Sequence, residues 1–112
     1  MGIQVLGTFN EGQTGYITAA FEDEDGSTVV PTTITYRVHD LDSGDELLGD
    51  TVFSVPAASI SIELPPAVNK IVDDTKDLEV HVCTVVADYA STKRITGEYR
   101  FGVVNLAFHE VT

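Results

Sequence analysis

Apolar and polar side chains alternate with a period of two along most of this chain, the pattern of extended strands that bury one face. Between Thr14 and Glu22, Tyr16, Thr18 and Ala20 alternate with Ile17, Ala19 and Phe21, and the polar run Glu22-Asp23-Glu24-Asp25-Gly26 then predicts a turn. From Thr32 to Asp40, Ile34, Tyr36 and Val38 face one way, while Thr33, Thr35, Arg37 and His39 face the other. Turn formers fill Asp40 to Asp45 and lead into a weaker strand, Glu46 to Ser54, which reads as an edge. Ser59 to Leu64 alternates again and must end at Pro65-Pro66, where two successive backbone donors are missing.

Pro66 suits the first position of a helix, so a short helix is predicted over Pro66 to Val72, with Ala67, Val68 and Ile71 covering one end of the core. Leu78 to Tyr89 is the longest β-branched run and is apolar on both faces from Val82 to Ala87, as expected of a strand central to its sheet. Thr96 to Leu106 sets Tyr99, Phe101 and Val103 against Glu98, Arg100 and Gly102. With Ile3 to Phe9 as a first strand interrupted by Gly7, seven strands recur with turn signals about every eight to twelve residues. The predicted fold is all-β: an immunoglobulin-like antiparallel sandwich of about seven strands, forming one domain over 1–112. A closed barrel is the main rival, because it alternates in the same way.

Composition narrows the function more than the fold. The 112 residues carry 18 acidic and 6 basic side chains, a formal charge of -12, which repels phosphates and anionic lipid and argues against nucleic acid or membrane as partner. Lys93-Arg94 and the isolated Arg37 fall short of a phosphate-tracking footprint. No apolar run reaches the roughly 18 residues of a membrane helix, and Met1 to Val5 lacks the features of a secretory signal, so a soluble protein made in the cytoplasm is expected. Cys83 is the only cysteine, which excludes an internal disulfide.

Several constellations invite chemistry, and each has a plainer reading. Asp40-Leu41-Asp42-Ser43-Gly44-Asp45-Glu46 is rich in hard oxygens, but its glycine comes one position early for a calcium loop and Thr51 stands where the bidentate glutamate belongs. A solvated hairpin is expected there, and a plain turn at Glu22 to Gly26. His39, His81, His109 and Cys83 could in number supply four zinc ligands, yet no two form the local pair of structural sites. A Cys83–His39 nucleophile pair would need a cation or helix end to lower the thiol pKa, and neither is in view. Without a phosphate loop, nucleophile elbow or carboxylate pair in an apolar setting, the expectation is no catalytic residue, no metal and no cofactor. Aromatic platforms for sugar are weighed against core packing, which accounts for most of the aromatics.

The stretch from Phe9 to Asp23, then Val30 to Asp40, resembles small proteins of tailed bacteriophages whose genes lie among the head and tail structural genes. The likeness continues through Ser61-Ile62-Glu63-Leu64-Pro65, Val85-Val86-Ala87-Asp88-Tyr89 and Glu98-Tyr99-Arg100-Phe101, diffusely and over nearly the whole chain. The resemblance implies a non-enzymatic virion structural protein, first a capsid decoration protein on the head surface and second a neck or tail accessory protein. An adhesion or glycan-binding module is the competing class. The implied partners are other virion proteins, the major capsid protein foremost, with a symmetric oligomer as a further option. A first or last strand could add to a neighbour's sheet, which makes Ile3, Val5, Phe9, Leu106 and Phe108 the candidate contact residues; closure of the core is their plainer role.

Overall fold

The computed structural model describes residues 4–106, with side chains from Thr8 onward. Seven strands follow in order: β1 (Gln4–Asn10), β2 (Gly15–Ala20), β3 (Thr33–Asp40), β4 (Glu46–Val52), β5 (Ser59–Leu64), β6 (Leu78–Tyr89) and β7 (Lys93–Val104). They form a five-stranded sheet of order β1-β7-β6-β3-β4 and a two-stranded sheet of β2 and β5. All pairs are antiparallel except β1 with β7. This is an immunoglobulin-like strand order: β3, β6 and β7 form the C-F-G trio, β4 adds C′, and β2 with β5 makes the B-E pair of the facing sheet. Two separate sheets with open edges exclude the closed barrel.

Alternation sets what each strand buries. The inner face of the small sheet carries Ile17, Ala19, Ile60, Ile62 and Leu64, with Phe21 just past β2. Against it lie Ile34 and Val38 of β3, Cys83, Val85 and Ala87 of β6, and Tyr99, Phe101 and Val103 of β7. Each fully buried Ile, Leu or Phe contributes about 1.5–3 kcal/mol over its exposed state, so this layer is the main source of stability in a chain without a disulfide. Sequence alternation predicts β6 at the centre and β4 at an edge, and the sheet order agrees. The register of β1 on β7 slips between Val5 and Thr8, where Gly7 interrupts the strand.

The short helix expected over Pro66 to Val72 does not form, and no helix of two turns or more occurs among the described residues. A single turn closes through Val68 N–H to Pro65 O at 2.9 Å, and the chain then leaves the helical path. Its backbone groups are taken elsewhere. The Asn69 carbonyl accepts from Gly12 N–H at 2.7 Å, and the Glu79 carboxylate takes Val72 N–H at 2.8 Å, a donor that a helix would give to residue 68. Val68 still plugs the core, 3% exposed, and Ile71 packs against it, but Ala67 is exposed, so the apolar role survives for two of the three residues without the predicted conformation.

Candidate functional site

The most concentrated ionisable chemistry among the described residues lies inside the sandwich. Asp40 ends β3 directly opposite His81 on β6, and Glu79, two residues before His81, points to the same inner face. Relative exposures are 2% for Asp40, 2% for Glu79 and 0% for His81. His81 Nε2 lies 3.0 Å from Glu79 Oε1, a hydrogen bond, and 3.6 Å from Asp40 Oδ1, beyond hydrogen-bond range. The ring also packs edge-on against Phe101, with centroids 5.7 Å apart.

Each carboxylate reaches out to a loop. Glu79 accepts Val72 N–H at 2.8 Å and Asp73 N–H at 2.5 Å, while Asp40 accepts both the N–H and the hydroxyl of Ser43, at 2.9 and 2.8 Å. Burial pulls the Asp40 carboxyl pKa upward, but the two Ser43 bonds, with Lys76 behind them, outweigh it and hold it below the ordinary value. The cluster is therefore a clasp: it ties the 70–77 segment and the β3–β4 turn to the end of the central strand.

Three ligand atoms within 4.8 Å of one another could in principle hold a cation. The imidazole argues for a proton instead. A cation on Nε2 would force the ring proton onto Nδ1, which is buried with no hydrogen-bond partner, whereas a proton on Nε2 serves Glu79 and leaves Nδ1 only a bare lone pair. Full enclosure also keeps the cluster from any substrate.

The other candidates from sequence separate. His39 lies opposite Val82 on the outer face and Cys83 opposite Val38 on the inner one, so they cannot act as a nucleophile pair. Burial raises the Cys83 thiol pKa to about 12, which leaves it inert at neutral pH. Nor does the four-ligand set assemble: His39 is on the wrong face and His109 lies outside the described residues. In the β3–β4 turn, Gly44 takes φ +75°, Asp40 accepts from Ser43 within the hairpin, and Asp42 pairs with Lys76 of the segment before β6. In the next acidic run, Asp23 caps Asp25 and Ser27 N–H at 2.9 Å each, and Glu24 meets Tyr89 and Lys93. Hydrogen bonding from Lys93, ahead of the contribution of Tyr89, brings the Glu24 pKa down to about 2.

Of the expected contact residues, Phe9 is half-buried and tilts against Phe101 at 5.5 Å, and its ring covers Gly15 so closely that a Cβ there would lie 2.8 Å from it. Phe9 thus closes the core. Leu106 is exposed, its N–H held by Glu11 at 2.8 Å. Val5 lies in β1 in register with Arg100, and Ile3 and Phe108 lie outside the described residues.

What the domain presents outward is surface and strand edge. Among the described residues Tyr16, Val30, Val52 and Val55 are the most exposed large apolar side chains, each above half exposure. Beside β4, the end of the five-stranded sheet, a cleft of about 380 Å³ runs between Asp45, Glu46 and Leu47 on one side and Lys70, Ile71 and Val72 on the other. No helix among the described residues is long and apolar enough to cross a membrane. Comparison of the chain with family models, with curated proteins and with solved structures finds no match.

Proposed function

We propose that this chain is a non-enzymatic structural protein of a tailed-phage virion that works by binding other virion proteins, with decoration of the capsid surface as the leading role. A neck or tail accessory position is the second role. The observation that carries the binding reading is the disposition of its reactive groups. Asp40, Glu79, His81 and Cys83 are sealed in the core, and Asp23, Glu24 and Asp42 of the two acidic turns are engaged in capping and ion pairs. Surface and open edges are left to do the work. The assignment to a virion rests on the resemblance of Phe9 to Asp40 and the later strands to small phage proteins, and the charge of -12 supports an outer position over one against packaged DNA.

Co-sedimentation tests the reading. Purified chain mixed with particles from a phage deleted for its gene should pellet with them and saturate at a copy number set by the shell's symmetry. Chain that stays in the supernatant at micromolar concentration, beside particles that lack it, sinks the proposal. Saturation at only a few copies per particle selects the neck or tail.

A further inference from the structure

We infer that the free edge of β4 is a docking edge for an extended, basic segment of a partner protein, which adds to the five-stranded sheet as a sixth strand. The inference rests on the binding reading above and names the edge and the chemistry of its occupant. Among the described residues β4 hydrogen-bonds to β3 alone, so the outward half of its backbone donors and acceptors meets no strand there. Phe53 N–H points inward to Ile34 O at 2.8 Å, so the alternation of an antiparallel pair turns Val52 N–H away from β3. Water can meet these groups singly, but an extended backbone is the protein partner that matches the row in register, which makes a strand the fitting occupant.

β4 carries neither lysine nor proline, two of the residues that blunt such edges, and its pairing with β3 is regular from Thr51 to Phe53 but shifts register between Tyr36 and Val38 and again between Val38 and His39; β5 is flanked by Pro56 and by Pro65-Pro66. An apolar foothold lies at the finish of β4, where Val52 and Val55 stand 66% and 71% exposed, and a largely polar cleft of about 380 Å³, in which Asp45, Glu46 and Lys70 stand beside Leu47, Ile71 and Val72, lies at its start. At about 3.3 Å per residue, a strand of six or seven residues spans the two.

Charge decides which strand fits. Asp45, Glu46 and Asp50 line the edge; Arg37 answers Asp50 loosely at 3.6 Å, and Lys70 stands across the cleft. The surplus is acidic, so a lysine- or arginine-bearing strand is favoured. A second copy of β4 is opposed, since edge-to-edge pairing would bring two such sets of carboxylates together.

The test uses the full chain, labelled with nitrogen-15, and two synthetic peptides of about seven residues: one alternating lysine and valine, the other alternating glutamate and valine. The lysine peptide should give saturable amide shifts centred on 46–52 and 70–72, weakening as salt rises, and the glutamate peptide none. Two variants complete it: Val52→Pro, which removes the outward donor at an exposed position, and Asp50→Lys, which reverses charge and leaves the backbone intact. Each should weaken binding at least tenfold with the rest of the amide spectrum in place. Shifts centred on β1, β2 or β5, equal binding of both peptides, no binding at millimolar peptide, or full affinity in both variants would overturn the inference. A chain that binds particles but fails this test loses only the edge assignment; one that passes it but leaves particles bare loses only the virion reading.

Discussion

Replacing Glu79 by glutamine should be among the most damaging conservative changes available in this protein. The carboxylate is 2% exposed and meets three donors: Val72 N–H at 2.8 Å, Asp73 N–H at 2.5 Å and His81 Nε2 at 3.0 Å. A glutamine amide fills the same volume but turns one acceptor oxygen into a donor, so one partner must face a second donor. Leaving a half-buried N–H unmatched costs about 1–3 kcal/mol, and downgrading the remaining charge-assisted bonds adds about 1 kcal/mol. The expected loss is about 2–4 kcal/mol, which at this chain length lowers the melting temperature by about 8–16 °C. Urea and thermal unfolding measure it against Glu63→Gln, where an exposed carboxylate loses only its bond to Tyr16 and the change should stay within about 0.5 kcal/mol. Hydrogen exchange should show the amides of Val72 and Asp73 opening before those of β6. A loss below 1 kcal/mol, or one no larger than the Glu63 control, would refute the clasp.

Three further outcomes follow from the same geometry. Asp40 has a folded pKa below its unfolded value of about 3.9, so its contribution is complete above that value and drains away as pH falls through the folded pKa; Asp40→Asn should flatten the acid limb of a stability–pH curve below about pH 4. With its pKa raised to about 12, Cys83 should hold roughly a thousandth or less of the thiolate of an unfolded cysteine at pH 8, so thiol reagents should label it only after denaturation, and rapid labelling of the native protein would show the core to be open. Phe9→Ala should cost about 2–3 kcal/mol and Leu106→Ala under 1 kcal/mol in the isolated chain, as chemical denaturation can determine; the reverse order would restore Phe9 as a surface contact.

Strand positions were legible because burial on one face imposes a period of two that composition cannot hide. β3, β5 and β6 begin or end within a residue of where alternation put them, and Pro65-Pro66 marks the end of β5. The helix was misread for an equally physical reason. Pro66 and the spacing of Ala67, Val68 and Ile71 are compatible with a helix, but the loop's donors belong to Glu79, whose side chain is placed by the strand that carries it, and its Asn69 carbonyl to Gly12, a contact far outside any local window. The clasp left a fainter trace. Glu79 shares the parity of His81 and Cys83 in the strand read as central, and an acid on a buried face demands partners; naming Asp40 as one required the register of β3 on β6. Edge order between sheets is likewise a property of topology, so alternation alone points to the terminal strands for contact residues, whereas Phe9 packs against the core.

Electron cryo-microscopy of the intact particle bears most directly on the central claim that this domain acts by holding to other virion proteins. The expected map shows a seven-stranded sandwich repeated at symmetry-related positions on the head, with the acidic β4 edge turned toward its neighbour. Particles whose shell, neck and tail are fully accounted for by other chains would contradict it.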